Sequence, residues 1–241
     1  LREWKRGWDL VTKIPADLVK REALASVKGH ESWKSAREKD DFSIFRNDLS
    51  ELIELSKERS ECLGYETESY DALLDSFQAG MNVEGIDKLF TSLKKKLTPL
   101  LEEILDWQGE IEKDPIAGHY PKEEQKRFCE WGARHIGFDF EAGRIDTAVH
   151  PFCSGAGPGD VRLTTRYNLE NPFDSFGGSL HEAGHGLYEQ GLPSGKEEYG
   201  TPLSDSVSLG IHESQSLFWE SIVGQSPEFW EYVLPFFKQH F

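Results

Sequence analysis

Apolar residues recur every three or four positions through much of the first half of the chain, and this period predicts helices. The clearest run consists of Ile86, Leu89, Phe90, Leu93, Leu97, Leu100, Leu101 and Ile104. Because this spacing places the apolar side chains on one side of a helix, the run predicts a long amphipathic helix. Three lysines at 94–96 lie mostly on the other side, where we interpret them as a solvated surface.

The pattern changes near Asp114 and Pro115. Glycine, proline and aromatic residues are frequent from there to about residue 180, which is typical of loops. Within this stretch Asp160–Thr165 alternates polar and apolar side chains, so it predicts a short strand with Arg162 on the polar face. Helical spacing returns after Ser179. The expected fold is therefore all-α, mainly helical, with a small β element at a cleft.

Charge and cysteine content narrow the classes of partner. The 241 residues include 43 acidic side chains against 27 lysines and arginines, which gives a net charge of −16. Such a surface repels phosphate backbones and anionic lipids, so we expect neither nucleic acid nor a membrane as a partner. The three cysteines, Cys62, Cys129 and Cys153, are odd in number and widely separated. They indicate no disulfide framework and no cysteine zinc site, and they favour a reducing, cytoplasmic location.

The segment HEAGH at 181–185 is the strongest chemical motif in the sequence. Residues four apart lie on one face of a helix, so His181 and His185 can bind a single ion while Glu182 lies beside it. Gly184 inside the motif, and two glycines at 177–178 before it, weaken the helix, and the small residues Ala183 and Gly184 suit a face that another group approaches closely. The motif predicts a zinc site in which Glu182 moves protons as general base and acid.

A catalytic zinc ion needs a third protein ligand, and the sequence offers several carboxylates for this position. The downstream candidates are Glu189, Glu197, Glu198, Glu213 and Glu220. Glu189 shares the helix of the histidines and would have to reach along its axis. Glu213 lies in a second predicted helix that can pack against the first, so it is the preferred candidate, although the residues alone leave a solvated charge equally open.

Four short motifs occur in an order that resembles one known family, the carboxypeptidase Taq family of metallocarboxypeptidases. They are His150-Pro151-Phe152, Asp160-Val161-Arg162-Leu163-Thr164, the HEAGH segment and His212-Glu213-Ser214-Gln215. Segments of the first half are also similar to that family. The resemblance implies a helical fold of the HExxH peptidase type, a zinc or cobalt ion, a homodimer, and release of C-terminal amino acids from peptide substrates with broad specificity. It also makes Glu213 the expected third ligand.

The resemblance bears on the organisation of the chain. Family members are considerably longer, so we expect a fragment of a larger enzyme, truncated at both ends. Within it we predict a single mainly helical metallopeptidase domain over 1–241, with a helical region at 1–113 and a metal-site region at 114–241. Two rival functions stay open, a zinc oligopeptidase or endopeptidase and a catalytically inactive metal-binding fragment.

Recognition of a free C-terminal carboxylate requires a cation or several hydrogen-bond donors. Arg162 is the local candidate, and an ion pair with Asp160 on the same strand face is the alternative. His150 and His212 are further candidates for contact with substrate, or for a supporting role behind the metal ligands. Glu220 is a weaker candidate for such a supporting role.

Overall fold

The structure, a computed structural model, describes residues 1–107 and 117–241. It divides into two compact units, Leu1–Trp107 and Gln108–Phe241. The predicted change of pattern at Asp114 and Pro115, and with it the boundary between the two predicted regions, lies outside the described residues. That the whole chain forms a single metallopeptidase domain stays a prediction.

The first unit is helical throughout its described secondary structure. Its helices are α1 (Arg2–Lys13), α2 (Ala16–Lys39), α3 (Ser43–Leu63), α4 (Ser69–Phe77) and α5 (Val83–Asp106). Leu18 on α2 and Leu55 and Leu63 on α3 are buried in a common core with Ile14, Ala25 and Ala72. This core joins α2 and α3 along much of their length.

Helix α5 confirms the long helix that the apolar period predicts. It begins after Asn82, whose side chain accepts a hydrogen bond from the backbone N–H of Gly85 and so caps the helix. None of its residues is buried by the described part of the chain. Leu89 and Ile104, at opposite ends of the apolar stripe, are 60% and 58% exposed. The sequence period therefore identifies the helix correctly, while its apolar side has no covering layer among the described residues.

The second unit combines helices with one small sheet. Its elements are α6 (Lys122–His135), β1 (Gly143–Thr147), β2 (Cys153–Gly157), β3 (Asp160–Thr165), α7 (Pro172–Gln190), α8 (Leu209–Leu217), a π-helical segment (Phe218–Val223) and α9 (Pro227–His240). Strand β3 is central and pairs in parallel with β1 and antiparallel with β2. The mainly helical fold with a small β element is thus confirmed, as is the strand at 160–165.

The sheet supports α7 from one side. Val161 and Leu163 of β3 are buried in a cluster with Ala183 of α7 and with Phe138. Gly186 makes this packing close, since a β-carbon there would lie 2.6 Å from the Phe138 ring. Because side chains alternate along a strand, Arg162 projects from the opposite face of the sheet.

Aromatic residues hold α7 from another side. Phe128 of α6 and Phe176 of α7 stack with their ring centroids 4.3 Å apart. Both are buried in a cluster with Leu180 and Val233, against which the aromatic residues of α9 pack, namely Phe229, Trp230, Phe236 and Phe237. The aromatic residues of α9 are therefore part of a core.

Two further observations concern the described residues as a whole. No described helix has both the length and the apolar character needed to cross a membrane. Cys62, Cys129 and Cys153 are all free thiols.

Replacing Phe128 with alanine tests the aromatic core beneath α7. Phe128 is 1% exposed, so we expect the cavity to lower the free energy of unfolding of the second unit by about 3–5 kcal/mol. Urea unfolding monitored by tryptophan fluorescence measures the change. Phe77, 61% exposed, is the control, and its replacement with alanine should change stability by less than about 0.5 kcal/mol. Equal effects of the two substitutions would contradict the assigned core.

Candidate metal centre

Helix α7 carries the HEAGH motif in its second half. The helix begins after Asn171, whose side chain accepts a hydrogen bond from the backbone N–H of Phe173, and Pro172 is its first residue. Four glycines, at 177, 178, 184 and 186, lie inside this helix. His181 and His185 are one helical turn apart, with side chains that are 22% and 12% exposed. The helix therefore presents both imidazoles on one partly open face.

Helix α8 supplies the carboxylate that completes the cluster. Ser208 caps α8 by accepting a hydrogen bond from the backbone N–H of Ile211 at 3.2 Å. The two helices nearly touch, because a β-carbon on Gly184 would lie 2.6 Å from the carbonyl oxygen of Gln215 and 2.7 Å from the α-carbon of Ser216. Only glycine allows this approach, which carries Glu213 to the two histidines.

The distances within the cluster fit a divalent metal ion. Glu213 Oε1 lies 3.8 Å from His181 Nε2, and Glu213 Oε2 lies 3.3 Å from His185 Nε2. Tetrahedral coordination with bonds of about 2.0–2.2 Å places neighbouring ligand atoms about 3.3–3.5 Å apart. The longer contact exceeds hydrogen-bond distance. Among the described residues, His181, His185 and Glu213 are the group of three whose ligand atoms all lie within 4.8 Å of one another.

The Nδ1 atoms of His181 and His185, called here the outer ring nitrogens, also have contact partners. His181 Nδ1 lies 2.9 Å from Glu220 Oε2, and His185 Nδ1 lies 2.5 Å from His212 Nδ1. Such contacts hold a ligand ring in place and leave its Nε2 for the metal. Burial lowers the pKa of His185, and the nearby His212 and His181 add to the effect. A lowered pKa favours the neutral imidazole, the form that binds metal.

The carboxyl group of Glu182 lies beside the cluster and is sheltered from water. The residue is 5% exposed. Burial raises the pKa of Glu182 to about 7; the neighbouring His181 opposes this, while Glu213 and Glu220 add to it. A divalent cation at the cluster would lower this pKa, because it stabilises the ionised carboxylate. Glu182 is thus a sheltered carboxyl group close to the candidate metal ligands, and it does not belong to their group of three.

The other carboxylates considered from the sequence lie elsewhere. Glu189 Oε1 contacts His212 Nε2 at 2.7 Å. Glu197 is exposed, and the Glu198 side chain lies against Gly195. Glu220 contacts the outer nitrogen of His181. Of the five carboxylates, Glu213 is the one that lies in the group of three with His181 and His185.

The three candidates for substrate contact differ in their surroundings. Arg162 Nε and Nη2 lie 2.8 Å and 2.9 Å from the carboxylate oxygens of Asp160, so the alternative ion pair is present. His150 is exposed between β1 and β2. His212 has contacts at both ring nitrogens, which favours a supporting role. The described contacts link neither Arg162 nor His150 to the cluster of His181, His185 and Glu213.

Sequence reasoning missed the pairing of Glu189 with His212 and the π-helical segment that follows α8. In this segment the backbone N–H of Gly224 bonds to the carbonyl of Trp219, five residues earlier. Glu220 lies in this segment. The only relevant sequence signal is that Glu220 follows Glu213 by seven residues, which is about two helical turns.

Comparisons with known proteins point to a metallopeptidase family. The sequence model of the family described as Carboxypeptidase Taq (M32) metallopeptidase matches residues 1–241. The chain is 42% identical to Thermostable carboxypeptidase 1 of Thermus thermophilus over 98% of its own length and 48% of that protein. It is 38% identical to Carboxypeptidase 1 of Bacillus subtilis over 98% of its length and 46% of that protein.

The comparison of folds finds a solved structure that is similar over nearly the whole chain. The solved structure described as "BsuCP Crystal Structure" superposes with a TM-score of 0.91 at 38% identity, covering 98% of this chain and 46% of the other. The chain therefore spans about half the length of the curated relatives it matches. A metallopeptidase family implies a metal cofactor, and the cluster of His181, His185 and Glu213 has the geometry to hold one.

Replacing Gly184 with alanine tests the close approach of α7 and α8. The added methyl group must push the backbone at Gln215 away by on the order of 1 Å, which moves Glu213 relative to the histidines. We expect Zn²⁺ affinity, measured by competition with a chromophoric chelator, to fall by at least about 10-fold.

The matched control is Gly177 on the same helix, where a β-carbon meets nothing within 4 Å. Alanine there should leave Zn²⁺ affinity unchanged and raise helix stability by up to about 1 kcal/mol. Unchanged affinity in the Gly184 variant would contradict the assigned geometry.

Proposed function

The chain belongs to the carboxypeptidase Taq (M32) family of metallopeptidases, and we propose on this basis that the protein releases C-terminal amino acids from peptides by metal-dependent hydrolysis. The observation that carries the proposal is the convergence of His181, His185 and Glu213, with Glu182 beside them. Two imidazoles and one carboxylate form the ligand set of many peptidase zinc sites, which leave a fourth position open.

Zinc is the proposed metal, with cobalt as the alternative expected from the family resemblance. When bound, such an ion polarises a carbonyl group and lowers the pKa of a coordinated water. His181 and His185 would hold the ion through Nε2, while the contacts at their Nδ1 atoms keep both rings oriented. Glu213 supplies the negative charge in the ligand set.

Glu182 is proposed to accept the proton of the attacking water and to return it to the leaving amine. Two observations support this role. Its carboxyl is buried, so bulk water competes little for it. It also follows His181 directly in the sequence, which keeps it beside the ligands through the rigid turn of α7.

For recognition of the substrate's carboxylate, Arg162 and His150 stay the candidates predicted from the sequence; Arg162 projects from the face of β3 opposite to the one packed on α7. The Arg162 side chain is 58% exposed, so a ligand can reach it, but a substrate would have to compete with Asp160. Arg144 is its register partner on β1 and forms a similar ion pair with Asp146 at 2.6 Å. The two arginines offer a matched pair for experiment.

A homodimer and a cytoplasmic location complete the proposal. The homodimer follows from the family resemblance, and the three free thiols suit a reducing compartment. Light scattering coupled to size-exclusion chromatography measures the oligomeric state directly.

The substitution Glu182→Gln tests the proton transfer. Glutamine has nearly the same shape but cannot carry the proton, so we expect kcat to fall by roughly 10²- to 10⁴-fold while Zn²⁺ remains bound. Turnover on a short peptide with a blocked N-terminus, together with metal analysis, measures both. The control Glu197→Gln should leave kcat unchanged. Near-normal turnover of the Glu182 variant with metal retained would rule out its role.

Peptides with free and amidated C-termini test the mode of cleavage. We expect stepwise loss of C-terminal residues from the free peptide and little from the amide, because the amide removes the charge that a cation recognises. Arg162→Ala should raise KM for the free peptide by about 10-fold or more, and Arg144→Ala should not. Internal cuts on both peptides would favour an oligopeptidase, and bound metal without cleavage would favour an inactive metal-binding protein.

A further inference from the structure

His212 lies between a metal-ligand histidine and a carboxylate. One ring nitrogen, Nδ1, is 2.5 Å from His185 Nδ1, and the other, Nε2, is 2.7 Å from Glu189 Oε1. The His212 side chain is only 17% exposed. Glu189, His212 and His185 therefore form a continuous chain of contacts that ends at the nitrogen facing Glu213.

The chemistry of these groups fixes where each proton lies when both imidazoles are neutral. An ionised carboxylate only accepts hydrogen bonds, so Glu189 selects the form of His212 with its proton on Nε2. The Nδ1 of a neutral His212 is then an acceptor. His185 must donate to it from Nδ1, which leaves the lone pair of His185 on Nε2, the atom 3.3 Å from Glu213.

The opposite arrangement is incompatible with the metal centre. If His212 donated from Nδ1, the Nδ1 of His185 would be an acceptor and the neutral ring would carry its proton on Nε2. That proton would occupy the position needed for metal binding. The contact with Glu189 therefore decides which nitrogen of His185 is free to act as a ligand, although Glu189 itself is not in the ligand group.

We infer that Glu189 and His212 are positioning residues that act in series to fix the tautomer and orientation of His185 for metal binding. The inference rests on the proposed function, because it assigns Nε2 of His185 to the ion. His181 is held by a single carboxylate, Glu220, at 2.9 Å. His185 is instead held through an intervening imidazole that comes from α8, next to Glu213. The series thus couples the orientation of one ligand to the helix that supplies another.

The first experiment measures the tautomer without metal. Long-range ¹H–¹⁵N NMR of the metal-stripped protein should show the His185 proton on Nδ1. In His212→Ala the proton should move mainly to Nε2, the preferred site of a free neutral imidazole. A proton on Nε2 of His185 in the unsubstituted protein would overturn the inference.

The second experiment is a double-mutant cycle on Zn²⁺ affinity. His212→Ala and Glu189→Gln should each weaken binding, by about 10- to 100-fold for His212→Ala and by less for Glu189→Gln. Because Glu189 acts only through His212, the double variant should bind no more weakly than His212→Ala alone. Glu197→Gln is the matched control, with no expected change. Losses that multiply in the double variant would mean that the two residues act independently, which overturns the series.

The two experiments separate this inference from the proposed function. If the tautomer is as expected but the unsubstituted protein binds no Zn²⁺, the fixed tautomer of His185 stands, while its role in metal binding fails together with the metal-dependent function. If Zn²⁺ binds and the protein cleaves peptides while the cycle is multiplicative, the function stands and the series fails.

Discussion

Helices α7 and α8 approach each other at Gly184 more closely than any residue with a side chain would allow. Gly184 directly precedes His185, so the distance between the helix backbones at this point sets the distance from both histidines to Glu213. The same contact brings His212 to His185, and the π-helical continuation of α8 brings Glu220 to His181. The sheet and the aromatic core support α7 from other sides, so the helix has little freedom to withdraw from α8.

The charges around His181 and His185, the two candidate ligand histidines, are almost all negative. Glu182, Glu189, Glu213 and Glu220 each lie near one of the imidazoles or their immediate partner. Without a cation, these carboxylates repel one another. Burial raises the pKa of Glu182, and the charges of Glu213 and Glu220 raise it further. A divalent cation relieves this repulsion, which explains why so many carboxylates are tolerated in a partly buried site.

Sequence patterns identified the parts of this structure that depend on local spacing. The helix at Val83–Asp106, the strand at Asp160–Thr165 and the pairing of His181 with His185 all follow from periods of 3.6 or 2 residues. Features that depend on distant partners were not accessible in this way. Predicting the contact between Glu189 and His212 requires knowledge of how two helices lie relative to each other. The spacing of apolar residues also does not indicate whether the apolar side of α5 is covered. Likewise, the sequence does not mark the extra residue in the π-helical turn.

The four glycines of α7 have a thermodynamic consequence. Each weakens the helix by about 0.5–1 kcal/mol relative to alanine, so α7 owes its stability to the surfaces that surround it. The geometry of the candidate ligands exists only while those surfaces are assembled, so an ion bound there would add its binding free energy to the folding free energy of the second unit. With the proposed metal in place, its loss would favour local opening of α7, and metal content and the lifetime of the folded state would be linked.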